Sequence, residues 1–215
     1  MQFSILVKFR DADPLLSRKM VASLLAQTHP DWELVLLVDL YRPLDRELAA
    51  DFAALDGRIQ IEHRPDDELS AWAANRLFSL ATWFGFLGQH DQLAPTALAQ
   101  VATAIAAQPG AKVVYTDEEA HTRWGHISLR SDKGAVNPLR LQNQEYLRDL
   151  AVFETAHMRA MGGFDYLASS YPAHDLHIKT LEALGPTGFA YVPERLYWRH
   201  RKYLAAIDLR RAPHM

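Results

Sequence analysis

Residues 3–39, FSILVKFRDADPLLSRKMVASLLAQTHPDWELVLLVD, contain two apolar runs with strand character on either side of a segment with helical period. Strands are predicted at 3–9 and 33–38. Between them Asp13 suits an N-cap, Pro14 suits the first helical position, and apolar residues then recur every three or four positions. A strand, a helix and a second strand in this order favour a parallel pair joined by a right-handed crossover.

The rest of the chain continues this alternation. Further strands are predicted at 58–63, 84–88, 112–116, 151–154 and 189–192, and further helices at 44–55, 70–82, 96–108 and 174–184. Strands that alternate with helices indicate an α/β fold with a mainly parallel sheet flanked by helices. The stretch 118–143 lacks strong periodicity and is predicted to be a long loop, of the kind that is functional or mobile.

Length and composition set further limits. A chain of 215 residues suits one domain, 1–215, and 49% hydrophobic with 23% charged residues is typical of a soluble globular protein. The net charge of −3 gives no argument for nucleic acid, and the lack of cysteine excludes disulfides and thiolate metal sites. The first apolar run is too short for a signal peptide or a membrane span, so a cytoplasmic location is expected.

One predicted strand end carries an acid and a histidine. His90 and Asp91 follow the strand predicted at 84–88 and precede the helix predicted at 96–108. In open α/β sheets, ligands bind beyond the carboxyl ends of the strands. The position therefore predicts a metal or phosphate site.

Several segments, in order along nearly the whole chain, match short sequence patterns. Residues 23–34, SLLAQTHPDWEL, are similar to the pattern S-L-x-x-Q-T-x-P-x-W-E-L. The LAP at 93–95 with the YTDEE at 115–119 resembles "LAP…Y-S-D-E-D". The MGGFD at 161–165 resembles "x-G-G-F-D", and the VPERLYWR at 192–199 resembles "I-P-E-x-L-Y-x-W-R". Together, these segments resemble the motifs of family-2 glycosyltransferases with a GT-A (Rossmann-like) fold, particularly bacterial enzymes of the rhamnosyltransferase type.

This resemblance implies a nucleotide-binding half at about 1–117 and an acceptor half at about 118–215. It also implies an activity. Such an enzyme transfers a sugar from a nucleotide-diphosphate sugar, with inversion, to an acceptor hydroxyl of a glycan or lipid-linked acceptor in bacterial surface polysaccharide assembly. The chemistry needs a polar clamp for the nucleotide, a divalent cation at the leaving diphosphate and a general base.

For the nucleotide, the resemblance points to the ends of the first three strands. The family's first strand usually ends P-V-Y-N, whereas this chain has Lys8-Phe9-Arg10-Asp11, and Arg10 could stack through its guanidinium plane. Asp39 falls on the acid that accepts a hydrogen bond from the base, although a plain strand-end acid would look the same. Arg64 could meet phosphate or be solvated.

For the metal, the family pattern D-H-D-D stands against Gly88-Gln89-His90-Asp91. Asp91 falls on the acid expected to touch the cation, and His90 replaces another carboxylate. Imidazole suits manganese better than magnesium, so Mn or Mg is expected with these two ligands. The alternative is a loop that holds no metal.

For the base, the expected position is Ala173, which cannot accept a proton. His174 lies beside it and a histidine can act as a base at neutral pH, while Asp175 matches a second acid of the family. These two are the predicted catalytic residues. The alternative is that Asp175 only caps a helix.

Two other charged segments have structural alternatives. The acidic run 117–119 resembles a metal cluster in composition, but a loop-ordering role is favoured. The basic tail, Arg199–Lys202 with Arg210 and Arg211, could contact an anionic membrane surface near a lipid-linked acceptor, which would make the protein peripheral to the inner membrane. A solvated face is the alternative.

Three hypotheses follow from these residues. The first is an active inverting glycosyltransferase, motivated by the resemblance along the chain and by Asp39 and Asp91. The second is a catalytically inactive glycosyltransferase-like binding or scaffolding module, motivated by the changes at the first strand, the metal loop and the base. The third is a nucleotidyltransferase with a GT-A-like fold, against which the missing glycine-rich, basic phosphate loop argues.

Overall fold

The computed structural model describes residues 1–64, 81–122, 127–148, 150–163 and 172–200. Within these residues, strands and helices alternate as the sequence predicts. The elements are β1 Phe3–Phe9, α1 Pro14–Leu25, β2 Trp32–Asp39, α2 Pro43–Ala53, β3 Ile59–Arg64, β4 Trp83–Phe86, β5 Gln92–Leu93, α3 Ala97–Ala107, β6 Val113–His121, β7 Ile127–Ser131, α4 Pro138–Asn143, β8 Ala151–Glu154, α5 Thr155–Ala160, α6 Pro172–Leu184, a 3-10 turn Gly185–Gly188 and β9 Phe189–His200.

Helix α1 begins as predicted. The Asp13 carboxylate accepts backbone hydrogen bonds from Leu15 at 3.0 Å and from Leu16 at 3.2 Å, and Pro14 occupies the first turn. These two bonds satisfy N–H groups that have no partner inside the helix. The cap fixes where the chain leaves the β1–α1 loop.

The nine strands of the described residues form one sheet in the order β3-β2-β1-β4-β8-β6-β9-β5, with β7 paired to β6. Strands β3, β2, β1 and β4 run parallel, and β6 runs parallel to β9. Strand β8 is antiparallel to both β4 and β6, and β5 and β7 form antiparallel pairs with β9 and β6. The predicted α/β fold with a largely parallel sheet is confirmed.

The stretch 118–143 differs from its prediction. The long loop predicted there was wrong, because β6 continues to His121, β7 pairs with it and α4 follows. Strand β9 also extends to His200, since it pairs with β6 along its length. Strand pairing forms these segments, because the end of β6 bonds both to β7, its neighbour in the chain, and to the distant β9. Of the helix predicted at 70–82, residues 70–80 lie outside the described residues.

Side chains on the two faces of the sheet belong to two separate apolar clusters, because successive residues of a strand point to opposite faces. Strand β1 contributes Ile5 and Val7 to the first cluster and Leu6 to the second. Helices α1, α2 and α3 cover the first, and helices α4, α5 and α6 cover the second; each contributes a buried apolar residue, in order Met20, Phe52, Val101, Leu141, Met158 and Leu176. The carboxyl ends of β1, β2, β3 and β4 lie at the same edge of the sheet, because these four strands run parallel. No helix in the described part of the chain is both long enough and apolar enough to span a membrane.

Candidate functional site

The carboxyl ends of the four parallel strands meet at one edge of the sheet. Arg10 and Asp11 follow β1, Asp39 ends β2, and Arg64 ends β3 in register with Asp39. Residues 88–91 follow β4, on the other side of β1. The structure thus brings the ends of the predicted nucleotide and metal segments to the edge where open α/β sheets bind ligands.

A pocket of about 620 Å³ lies between the β1–α1 and β2–α2 loops, and Asp11, Asp39 and Arg42 are among its lining residues. Asp39 is buried, and its Oδ1 accepts the backbone N–H of Tyr41 at 3.0 Å. The Arg42 guanidinium forms an ion pair with Asp39, with 3.4 Å between Nε and Oδ2, and another with Asp11. Two residues predicted to bind the nucleotide, Asp11 and Asp39, therefore share one cavity with the positively charged Arg42, which the sequence reasoning missed.

Asp45 also organises this pocket and was missed. It lies in the first turn of α2, is buried, and accepts backbone hydrogen bonds from Asp11 at 2.9 Å and Ala12 at 3.0 Å. These bonds hold Asp11 at φ 50°, in the left-handed region that non-glycine residues seldom adopt. From the sequence, an acid two residues after Pro43 indicates a favourable helix start, which gives no hint of a partner in another loop.

Arg10 lies at the junction of β1 and β4. Its backbone N–H donates to Gln89 Oε1 at 2.8 Å, and its carbonyl accepts from Gln89 Nε2 at 2.9 Å. One side-chain amide thereby joins the ends of two neighbouring parallel strands. The predicted role of Arg10 in stacking on a base stays a prediction.

The two predicted metal ligands make hydrogen bonds within the protein. Asp91 Oδ2 accepts from the Tyr197 hydroxyl at 2.6 Å, and Asp91 Oδ1 accepts from the backbone N–H of His200 at 2.7 Å. The Nε2 of the buried His90 accepts the backbone N–H of Asp13 at 2.8 Å. A backbone N–H only donates, so this nitrogen uses its lone pair and the ring proton is on Nδ1.

Gly88 stands where the resemblance implies a first carboxylate. A Cβ added there would lie 2.9 Å from Asp91 Cγ and 3.2 Å from the Tyr197 hydroxyl. A side chain at 88 and the observed place of the Asp91 carboxylate are therefore incompatible. Among the described residues, no group of three or more His, Cys, Asp or Glu could hold a metal ion. The cation at Asp91 and His90 stays a prediction.

The predicted base region lies at the start of α6. Ala173, the expected base position, is 5% exposed and belongs to the second apolar cluster. His174 Nε2 lies 2.9 Å from the carbonyl oxygen of Leu141, which can only accept, so this nitrogen carries the proton. Asp175 forms an ion pair with Lys179 at 2.8 Å. The catalytic roles of His174 and Asp175 stay predictions.

A half-buried acid near His174 was not found from the sequence. Glu145 Oε2 lies 3.4 Å from Nδ1 of the fully buried His177 and 4.0 Å from Nε2 of His174. Burial of this carboxyl raises its pKa, but the hydrogen bonds from His177 and from the Arg148 backbone lower it, and the net pKa of Glu145 is lowered. The pair of histidines three apart on α6 thus has a carboxylate partner from a distant loop.

The acidic run 117–119 is paired within the protein. Asp117 accepts the Lys133 backbone N–H at 2.7 Å and the Tyr191 hydroxyl at 2.8 Å. Glu118 forms an ion pair with Arg199 at 3.0 Å, and Glu119 lies 2.8 Å from His121. These contacts support a structural role for the run, which lies in β6, and the loop-ordering role stays a prediction.

Two curated proteins are similar to this chain over most of its length. It is 30% identical over 197 residues to the O-antigen biosynthesis protein RfbC of Myxococcus xanthus, which covers 90% of this chain and 15% of that protein. It is 28% identical over 215 residues to the uncharacterized protein y4gI of Sinorhizobium fredii (strain NBRC 101917 / NGR234), covering 98% of this chain and 24% of that protein. The chain therefore spans less than a quarter of the length of either relative.

Solved structures show the same fold. The structure of S. aureus TarS 1-349 in complex with UDP has a TM-score of 0.70 at 13% identity and covers 100% of this chain and 67% of that chain. The complex of the same protein with UDP-GlcNAc has a TM-score of 0.65 at 14% identity, covering 94% and 59%. The predicted GT-A type of α/β fold is confirmed.

The sequence itself carries the family assignment. Residues 4–164 match the family described as Glycosyl transferase family 2. This match includes β1 to β4, the pocket between the first two loops and residues 88–91. Because it spans well over half of the chain, this protein belongs to glycosyl transferase family 2.

Proposed function

We propose that this chain binds the nucleoside-diphosphate part of a sugar donor in the pocket at the ends of β1 and β2. It then acts as a glycosyltransferase domain that transfers the sugar, with inversion, to an acceptor hydroxyl in bacterial polysaccharide assembly. The observation that carries the proposal is the buried Asp39 carboxylate at a cavity of about 620 Å³ beside Arg42. The name of RfbC, an O-antigen biosynthesis protein, and the UDP and UDP-GlcNAc complexes of TarS support it.

Asp39 is assigned to the base. An ionised carboxylate has about four acceptor positions, and the Tyr41 backbone N–H and the Arg42 ion pair leave capacity for an N–H group of a base. The carboxylate is held by these contacts before any ligand arrives. A fixed, buried acceptor favours a nucleotide base that has an N–H group at its edge. A base without such a donor would leave an acceptor position of the buried carboxylate unsatisfied, which costs free energy.

Arg42 is assigned to the diphosphate. Its partner Asp11 is 76% exposed, and an ion pair with so exposed a partner contributes at most about 1 kcal/mol. The guanidinium can therefore exchange Asp11 for a phosphate oxygen at a small cost in free energy. An arginine guanidinium can bind phosphate in a bidentate arrangement, with two parallel hydrogen bonds. A divalent cation at Asp91 and His90, the sequence prediction, would instead have to displace the hydrogen bonds that both side chains make.

The start of α6 is assigned to the acceptor step. The proposal assigns His174 or Asp175 to assist the acceptor hydroxyl, with Nδ1 as the proton-accepting atom of His174 because Nε2 faces Leu141. A glycan or lipid-linked acceptor is proposed from the polysaccharide context. In the basic tail, Arg199 forms an ion pair with Glu118, and Arg201, Lys202, Arg210 and Arg211 lie outside the described residues. Membrane contact there stays a proposal that binding to anionic vesicles would test.

A second candidate is a catalytically inactive module that keeps nucleotide binding. The burial of Ala173 in the apolar cluster favours it, because the expected base position offers no proton acceptor. The two candidates differ in turnover and not in donor binding. Hydrolysis of a panel of UDP-sugars separates them: turnover that falls in His174→Ala or Asp175→Asn, with UDP affinity unchanged, supports the enzyme. Intact UDP binding without turnover on any donor and acceptor supports the module.

Calorimetry with UDP tests the shared donor site. A charged hydrogen bond of about 1.5–3 kcal/mol predicts that Asp39→Asn weakens UDP binding about 10- to 150-fold. Asp51→Asn, which changes an exposed acid on α2, is the matched control and is expected to bind as the wild type does. Absence of binding by any nucleoside diphosphate to the wild type would overturn the proposal.

Comparison of uridine with UDP tests Arg42. Arg42→Ala is expected to reduce the affinity for UDP about tenfold and to leave the affinity for uridine nearly unchanged, because only UDP carries the phosphates. Arg46→Ala, at an exposed position of the helix α2 that Arg42 precedes, is the control. Equal losses for uridine and UDP would show that Arg42 acts through the pocket's structure and not on phosphate.

A further inference from the structure

We infer that residues 88–91 form a clasp that joins the end of β4 to the β1–α1 loop and to the end of β9, and that this chain binds its donor without a cation at Asp91. The second half of this inference rests on the proposed function. The first half stands on the contacts of the four residues alone. Each of them bonds to a segment distant in sequence.

One side of the clasp holds the β1–α1 loop. The Gln89 amide makes two bonds to the backbone of Arg10, at 2.8 and 2.9 Å. The Gln89 carbonyl accepts from the Ser17 hydroxyl at 3.1 Å, and His90 accepts from the Asp13 backbone N–H at 2.8 Å. The loop that leads to the pocket residue Asp11 is thus bonded both before and after that residue.

The other side holds β9. The Tyr197 hydroxyl donates to Asp91 Oδ2 at 2.6 Å and accepts from the backbone N–H of Gly88 at 3.1 Å. Asp91 Oδ1 accepts the backbone N–H of His200 at 2.7 Å. Tyr197 is fully buried, so this hydroxyl depends on these two partners in place of water. The clasp therefore bonds the last described strand to the nucleotide side of the sheet.

The same contacts make residues 88–91 a poor cation site. A divalent cation needs oxygen or nitrogen lone pairs aimed at it, and the Nε2 lone pair of His90 is aimed at Asp13. Both Asp91 oxygens face donors, whose hydrogens carry partial positive charge. At position 88, where a further carboxylate would have to stand, any Cβ collides with the Asp91 carboxylate. Asp91, which the family resemblance matches with a metal ligand, instead accepts two hydrogen bonds inside the clasp.

Titration with Mn²⁺ alone tests directly whether a cation binds at Asp91. The wild type and Asp91→Asn are expected to show the same lack of site-specific Mn²⁺ binding by calorimetry and by the Mn²⁺ paramagnetic resonance signal. In parallel, UDP is expected to bind the wild type with the same Kd, within twofold, in EDTA and in Mn²⁺. One Mn²⁺ site that Asp91→Asn abolishes would overturn the inference, as would UDP affinity that Mn²⁺ raises tenfold or more in the wild type alone.

Thermal unfolding tests whether the contacts of the clasp stabilise the protein, and this experiment does not need a nucleotide. Asp91→Asn replaces one acceptor by a donor that faces another donor, so the unfolding midpoint is expected to fall by several degrees, equally in EDTA and in Mn²⁺. Asp51→Asn controls for removal of an exposed acid. An unchanged midpoint in Asp91→Asn would overturn the clasp. If UDP binds under neither condition, the proposed function fails, whereas the Mn²⁺ and unfolding experiments still decide the clasp.

Discussion

The clasp makes its sharpest prediction at Tyr197. Tyr197→Phe removes one hydroxyl and leaves the ring in place. This ring is fully buried and belongs to the first apolar cluster. The substitution deprives Asp91 Oδ2 of a 2.6 Å donor and the Gly88 N–H of its 3.1 Å acceptor. A hydrogen bond to a charged group contributes about 1.5–3 kcal/mol, and a polar group left without a partner costs about 1–3 kcal/mol. Because the two losses share one hydroxyl, we expect a total of about 3 kcal/mol.

Urea unfolding followed by circular dichroism measures this loss. With a slope of about 3 kcal/mol per M, a loss of about 3 kcal/mol lowers the midpoint by about 1 M with an unchanged slope. In a thermal scan the same loss lowers the midpoint by roughly 6–12 °C for a chain of this size. Tyr41→Phe is the matched control, since Tyr41 is 75% exposed and its change is expected to stay within about 0.5 kcal/mol. A Tyr197→Phe midpoint that matches this control would refute the reasoning.

Three further substitutions probe other parts of the fold. Asp45→Ala removes the acceptor of the Asp11 and Ala12 backbone N–H groups, so urea unfolding is expected to show a loss of about 2–3 kcal/mol, and calorimetry weaker UDP binding. Ala173→Glu places a carboxylate in the apolar cluster and is expected to cost about 3 kcal/mol or more of stability, without increasing turnover. Glu145→Gln is expected to destabilise the protein near pH 7 and to converge with the wild type in acid. The lowered pKa of Glu145 means that its stabilisation is present above the unfolded pKa of about 4.3 and is lost as the pH falls through the folded pKa.

Each of these substitutions has a control at an exposed position. Asp51→Ala lies on α2 with Asp45 but is exposed, and Ala183→Glu repeats the Ala173 change at an exposed position of α6. Glu47→Gln changes an exposed glutamate of α2. A stability of Asp45→Ala or Ala173→Glu equal to that of its control would contradict the assigned contacts. A constant difference between Glu145→Gln and the wild type from pH 7 to pH 3 would contradict the assigned pKa shift.

Local patterns predicted the parts of the fold that depend on residues near one another in the chain. The Asp13 cap, the Pro14 start and the buried runs of β1 and β2 could be read from residues 3–39 because a helix cap and an apolar strand are local features. Strand β7 and the ends of β6 and β9 could not. They form because another strand supplies their hydrogen-bond partners: β7 pairs with the end of β6, and the end of β9, far away in the chain, pairs with the same part of β6.

At the candidate site, the sequence supplied the positions of Asp39, Asp91 and Ala173, and the resemblance to a family supplied their expected roles. Their surroundings depend on side chains far away in the chain. Asp91 is bonded to Tyr197, Asp39 is paired with Arg42, and Ala173 is packed in an apolar cluster. Sequence spacing predicts which residues reach one edge of a sheet, because strand direction and order fix that edge. Whether a carboxylate there meets a ligand or a hydroxyl of the protein depends on tertiary packing, which alone brings β9 against the end of β4.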